Sequence, residues 1–118
     1  MALTFYGLKT CDTCKKARKA LDAANISYTY TDVRVDGMSK TTIEKWATSL
    51  GEDWGRLLNK SSTTWRSLDE KDKANLSKST ALKLLRDNPT LMKRPLIEDD
   101  KGAITIGWSK DVQAHYGV

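Results

Sequence analysis

The chain has 118 residues, 20 Lys and Arg against 15 Asp and Glu for a net charge of +5, and 39% hydrophobic residues that include four Trp and four Tyr. That length suits one domain able to bury its own core, and no run approaches the roughly 18 apolar residues that a membrane-spanning helix needs. Acidic residues are interspersed with the basic ones, as in Asp69-Glu70-Lys71-Asp72-Lys73, which is the pattern of solvated surface rather than of a nucleic-acid footprint; neither a nucleic acid nor a membrane is expected as a partner.

Met1-Ala2-Leu3-Thr4-Phe5 enters a strand pattern with no basic segment or apolar core of a secretory leader, so a cytoplasmic location is expected. Leu3-Thr4-Phe5-Tyr6 alternates and predicts a first strand, followed by Gly7 and the loop Leu8-Lys9-Thr10. Cys14, Ala17, Leu21 and Ala24 recur at helical spacing and predict a helix over 12–24, stopped by Asn25. Ile26, Tyr28 and Tyr30 alternate with Ser27, Thr29 and Thr31 as a second strand. Strand, helix and strand with short joints form a βαβ unit, whose crossover should be right-handed.

Asp36-Gly37 marks a turn, and Ser39 caps a helix bearing Ile43, Trp46, Ala47 and Leu50 on one face, closed by Gly51. An apolar piece at Trp54, Leu57 and Leu58 leads into a polar stretch, Asn59-Lys60-Ser61-Ser62-Thr63-Thr64, ending in Trp65-Arg66. Ser67 and Glu70 stand at capping-box spacing and predict a short helical turn. Ser77 opens a helix through Ala81, Leu82, Leu84 and Leu85, ended by Asn88-Pro89. Pro95-Leu96-Ile97-Glu98 and Ala103-Ile104-Thr105-Ile106 flank Asp99-Asp100-Lys101-Gly102, a hairpin signal. Ser109 then caps a last helix with Val112 and Tyr116 on its inner side. The order predicts an α/β, thioredoxin-like fold, β-α-β then β-β-α, as a single domain over 1–118 with a helical insertion over roughly 38–90.

The two cysteines stand together as Cys11-Asp12-Thr13-Cys14, between the first strand and the first helix. A helix N-terminus favours thiolate over thiol. Cys11 is expected exposed in the loop and Cys14 inside the first turn, where residues three apart bring their sulfurs together. Cys11 would attack a disulfide or oxidised substrate, and Cys14 would resolve the mixed disulfide. Lys9, Lys15, Lys16, Arg18 and Lys19 cluster here; with the helix N-terminus, Lys9 and Lys15 would depress the first pKa, and the rim would draw small anionic substrates.

Three other readings compete. Structural zinc needs four ligands, and the one histidine, His115, is far along the chain, so no metal is expected. A structural disulfide would close a tiny loop in a chain that needs no staple. An inert pair retained in a redox-like fold is the third. His115 reads as a surface or packing residue. The tryptophans read as core, with Trp65 the pocket candidate because polar residues surround it.

Lys93-Arg94-Pro95 begins the hairpin. In thioredoxin-like folds a cis-proline at the start of this strand lies beside the redox cysteine and presents backbone groups to the substrate; a trans proline at a strand's first residue is the ordinary alternative. Arg94 would hold an oxyanion or a glutathione carboxylate near Cys11, unless it is simply a surface charge.

Tyr6-Gly7-Leu8-Lys9-Thr10-Cys11-Asp12-Thr13-Cys14-Lys15-Lys16-Ala17-Arg18-Lys19, with Leu57-Leu58-Asn59-Lys60, Thr63-Thr64-Trp65-Arg66 and Arg94-Pro95-Leu96-Ile97, resembles the ArsC/Spx family, and within it the small bacterial YffB-type branch. The resemblance runs over essentially the whole chain. It implies a thioredoxin-like fold with a helical insertion, a bacterial cytosolic oxidoreductase, and glutathione as cosubstrate. Cys11 then takes the place of the arsenate reductases' catalytic cysteine, and Arg94 that of one oxyanion-binding arginine. Lys9, Thr10, Arg94 and Pro95 would shape the binding site for glutathione and a disulfide or oxyanion, in a monomer open to a protein redox partner.

Arsenate reductases of the family place arginines where Asn59 and Gly107 stand here, and losing two of three guanidinium groups would cost an arsenate dianion on the order of several kcal/mol. Lys60 and Arg66 are candidates to compensate. The Spx side of the family shares C-x-x-C, the Arg-Pro step and an ending comparable to Ile106-Gly107-Trp108-Ser109. It implies a different role, a redox-switched regulator that binds RNA polymerase. Those regulators carry a longer basic C-terminal extension than the segment ending at Val118.

Overall fold

Strand β1, Leu3–Gly7, buries Leu3, Phe5 and Gly7 and leaves Thr4 and Tyr6 half-buried, the period of two that lays one face of a strand on a core. The computed structural model describes residues 2–118; Met1, where the expected strand pattern opens, lies outside the described residues. β1 pairs in parallel with β2, Tyr28–Asp32, and antiparallel with β3, Leu96–Glu98. β3 pairs antiparallel with β4, Ile104–Ile106. The sheet order is β2-β1-β3-β4, a thioredoxin-like α/β arrangement.

Between β1 and β2 runs helix α1, Asp12–Ala23, whose buried residues Cys14, Ala17 and Leu21 join Leu3, Phe5 and Ile97 in one cluster. The helix stops where the sequence indicates. Asn25 takes φ 58, its N–H donates to Asp22 O at 3.1 Å, and the Ile26 N–H donates to Leu21 O at 2.9 Å. These two bonds are a Schellman motif, which satisfies carbonyls that the helix end would otherwise leave unpaired. After β2 comes one helical turn, α2, Val33–Asp36, which apolar spacing did not indicate.

The chain divides into two compact units: the segment ending at Asp36 together with Arg94–Val118, and Gly37–Lys93. In the second, α3, Lys40–Leu50, is capped by Ser39, whose Oγ accepts from the Thr42 N–H at 3.1 Å. Helix α4, Thr63–Ser67, lies inside the polar stretch and is capped by Ser62. Helix α5, Glu70–Ala74, follows, and α6, Lys78–Asp87, is capped by Ser77 and packs on α3. Ser67 is not the cap of α5. It is the last residue of α4, and its hydroxyl donates to Thr64 O at 2.8 Å, so Asp69 occupies the cap position instead. The first unit ends in α7, Lys110–His115, capped by Ser109.

Gly7 is the tightest point beneath the cysteine pair. A Cβ there would lie 2.8 Å from Phe5 Cε1 and 2.9 Å from Cys14 Sγ, closer than such atoms approach in a packed core. Gly7→Ala is therefore expected to destabilise the protein by about 1–3 kcal/mol, measured as a lower midpoint in urea unfolding; an unchanged midpoint would show that Cys14 is not packed against β1.

Candidate active site

Cys11 is the N-cap residue of α1, with extended backbone at φ −82 and ψ 119. Its N–H donates to Leu8 O at 3.1 Å, and its carbonyl accepts from the Lys15 N–H at 3.0 Å, which fixes it at the join of loop and helix. The sequence placed Cys11 in the open. It is half-buried, because it packs against the cluster formed by Leu3, Phe5, Cys14 and Ile97. Cys14, three residues on, is fully buried.

The two thiols differ sharply. Burial by itself raises the Cys11 pKa, but the Cys14 backbone N–H, the Cys14 thiol and the Arg94 guanidinium, acting through a hydrogen bond and its charge, outweigh it and hold Cys11 below the ordinary thiol value. Burial pushes Cys14 up to about 12; the Leu8 amide opposes this, and the hydrogen bond to Cys11 and the charge on Cys11 reinforce it. One sulfur is thus poised to ionise while its neighbour keeps a proton and donates to it. Lys9 and Lys15 do not figure among the leading causes of the Cys11 shift. Both side chains are exposed, where solvent screens them.

Arg94 is half-buried and interacts with both sulfurs, and the Arg94–Pro95 peptide bond is cis. Pro95 is buried, and its carbonyl accepts from the Gly107 N–H at 2.9 Å. Gly107 itself takes φ 83, a conformation that side-chain-bearing residues rarely adopt. Cys11, Cys14, Arg94 and Pro95 therefore come together in the first unit, whereas the Lys9 and Thr10 side chains point to solvent from the preceding loop.

That loop is held by a carboxylate distant from it in the sequence. Asp32, at the end of β2, accepts from the Lys9 N–H at 3.1 Å through Oδ2, and from the Arg34 and Val35 N–H groups at 2.9 and 3.3 Å through Oδ1. One carboxylate thereby caps α2 and ties down the backbone leading to Cys11. Slight burial opposes ionisation of Asp32, and the three amide bonds outweigh it and hold the carboxyl below its ordinary value. The only sequence signal was an acidic residue at a helix start.

The other candidates lie apart in role. In the second unit, Trp65 has the Lys60 and Lys73 ammonium groups 5.5 and 5.8 Å from its ring centroid, and Arg66 donates to Ser61 O at 3.0 Å. Asn59 uses its Oδ1 locally, accepting from the Ser61 N–H at 3.1 Å. His115 is exposed and stands edge-on to Tyr116 at 4.8 Å between ring centroids. Among the described residues no group of three or more His, Cys, Asp and Glu is gathered to hold a metal ion, and no helix is long and apolar enough to cross a membrane.

The sequence matches the model of the ArsC family over residues 6–115. It is 48% identical over 115 residues to an uncharacterized protein of Haemophilus influenzae, covering 97% of this chain and 98% of that one. A solved YffB protein is 34% identical, with 96% of each chain covered and a TM-score of 0.86. The global transcriptional regulator Spx 2 of Lactococcus lactis is 27% identical over 109 residues, which span 92% of this chain and 81% of the regulator.

Because Arg94 lowers the Cys11 pKa, Arg94→Gln should move the pH midpoint of Cys11 alkylation upward. The rate with iodoacetamide at neutral pH should fall accordingly, since a smaller fraction is thiolate. A midpoint that stays where it is in the wild type would remove Arg94 from the site.

Proposed function

This chain belongs to the ArsC family, and from that premise we propose that it is a glutathione-dependent thiol-disulfide reductase with Cys11 as nucleophile and Cys14 as resolving thiol. The observation that carries the reading is the opposite displacement of the two thiols, with Cys11 lowered and Cys14 pushed up to about 12. Thiolate, not thiol, attacks a disulfide, so the chemistry begins at Cys11.

In the first step the Cys11 thiolate attacks one sulfur of a disulfide, an S–S bond forms to Cys11, and the substrate's S–S bond breaks. The departing thiolate takes a proton from water. Cys14 then gives up its proton and attacks the Cys11 sulfur, releasing the second substrate thiolate and leaving a Cys11–Cys14 disulfide. The protein dithiol has lost two electrons, and the substrate has gained them. Two glutathione molecules return these electrons and leave as glutathione disulfide. Arg94 steadies the Cys11 thiolate and binds a carboxylate of glutathione, with Pro95, Lys9 and Thr10 forming the surrounding surface.

An arsenate dianion suits this site less well. It needs several charge-assisted donors, and by the family resemblance Gly107 stands where the arsenate reductases carry one of their arginines. The φ of 83 at Gly107 would strain an arginine.

The likeness to the Spx regulator supports a second reading, in which the cysteine pair switches binding to RNA polymerase. Turnover separates the two. Glutathione-dependent reduction of a small disulfide, followed as NADPH consumption through glutathione reductase, is expected for the wild type and absent in Cys11→Ser. Cys14→Ser should accumulate a glutathione adduct on Cys11, seen by mass spectrometry, or keep a reduced monothiol activity. Folded, reduced wild-type protein without turnover would overturn the reductase reading, and capture of RNA polymerase by that protein would put the regulator in its place.

A further inference from the structure

The peptide unit between Leu8 and Lys9 is held from both sides. Its carbonyl accepts from the Cys11 N–H at 3.1 Å, and its N–H donates to Asp32 Oδ2 at 3.1 Å. A peptide unit is planar, with its N–H and C=O pointing opposite ways, so these two bonds fix its orientation. The first of them closes Leu8-Lys9-Thr10-Cys11 into a β-turn with Lys9 at the second position. Neither Lys9 nor Thr10 takes a positive φ, as in a type I turn. Leu8 is buried, whereas the Lys9 side chain is exposed; what Lys9 gives to the turn is its backbone amide.

The same stretch of backbone meets the second thiol. A Cβ on Gly7 would come within 2.9 Å of Cys14 Sγ, which lays that sulfur against the Gly7–Leu8 segment, and the Leu8 N–H donates to it. Leu8 therefore serves both cysteines, with its carbonyl on the Cys11 amide and its own amide on the Cys14 sulfur. Asp32 is registered opposite Gly7 in the parallel pair of β1 and β2, level with the turn. Its Oδ1 is occupied by the Arg34 and Val35 N–H groups at 2.9 and 3.3 Å. These bonds fix the carboxylate on α2 and leave Oδ2 to reach across to the turn.

We propose that Asp32 is a positioning residue for the second thiol step: by holding the Leu8–Lys9 peptide it keeps the Leu8 amide aimed at the Cys14 sulfur as that sulfur takes on charge. This rests on the reading of Cys11 as nucleophile and Cys14 as resolving thiol. In that step Cys14 gives its proton to water and its thiolate forms an S–S bond to Cys11. The bond from Cys11 to the substrate sulfur breaks, and the substrate leaves as a thiolate. Negative charge thus passes through a sulfur inside the core, where it is costly, and a donor already in place lowers that cost without having to reorganise. Cys11 is served by other groups. Its thiolate is favoured by the Cys14 amide and thiol and by Arg94, none of which belongs to the turn, so Asp32 weighs on the second step more than on the first.

The test is the reaction of reduced protein with dithiodipyridine, a neutral disulfide, followed by stopped flow as thiopyridone is released. The first release, proportional to reagent, reports attack by Cys11; the second, independent of reagent, reports attack by Cys14 on the mixed disulfide. Asp32→Asn keeps the cap of α2, since an amide oxygen accepts from the Arg34 and Val35 N–H groups as well, but turns an NH2 toward the Lys9 N–H. The ratio of second to first rate should fall about fivefold, the loss of one amide–carboxylate bond. Lys9→Pro removes the N–H at a turn position that suits proline. Against Lys9→Ala, which shares the loss of the side chain, it should lower the ratio about as far, and added to Asp32→Asn it should lower it no further. Should Asp32→Asn fail to fold, the comparison of Lys9→Pro with Lys9→Ala carries the same prediction. Equal slowing of both releases would mean that Asp32 acts on the fold at large, and additive losses that it does not act through the Lys9 amide; either overturns the proposal. A wild type with no second release would remove the reading of Cys14 as resolving thiol, whereas two normal releases with an unaltered ratio in Asp32→Asn would overturn the role of Asp32 alone.

Discussion

The arrangement at the start of α1 depends on two sulfurs sharing one proton. Cys14 sits in the core, where a thiolate is costly, and burial pushes its pKa up to about 12. Because Cys14 keeps its proton, it can donate to Cys11, and that bond, with the Cys14 amide and Arg94, makes Cys11 the sulfur that ionises. Neither displacement stands alone. If Cys14 were solvated it would compete for the charge, and if Cys11 were fully buried it could not carry one.

Several local features serve that asymmetry. Gly7 leaves the space that Cys14 fills, and Ala17 and Leu21 continue the same buried stripe. Asp32 reaches across from β2 to the Lys9 amide, so the loop entering Cys11 is fixed by a bond to the neighbouring strand and not only by its own turn. On the hairpin side, the bond from Gly107 to the Pro95 carbonyl anchors the segment that carries Arg94. The cysteine pair is thus gripped from β1, β2 and β3, three adjacent strands of one sheet.

What the sequence discloses follows from the range of each interaction. β1, α1 and the hairpin are written in short-range periodicity, and Ser39, Ser77 and Ser109 announce their helices because a cap acts three residues ahead. Helices α2 and α4 are too brief to show a period, and their caps, Asp32 and Ser62, were hidden by the β-like run before one and the polar stretch around the other. Ser67 misled because the capping-box spacing does not say which way a hydroxyl points; it turns back to Thr64. Lys9 and Lys15 looked like the source of the Cys11 shift because they are near in sequence, but exposure screens them. Arg94 is distant in sequence and near in space. The tie from Asp32 to Lys9 spans 23 residues and has no local signature.

The most direct measurement is the titration of both cysteines in one reduced wild-type sample, followed by carbon NMR of the two Cβ resonances. The account predicts that Cys11 loses its proton below the ordinary thiol range while Cys14 stays protonated until the pH nears about 12. Ionisation of Cys14 first, or both thiols titrating together at the ordinary value, would contradict it.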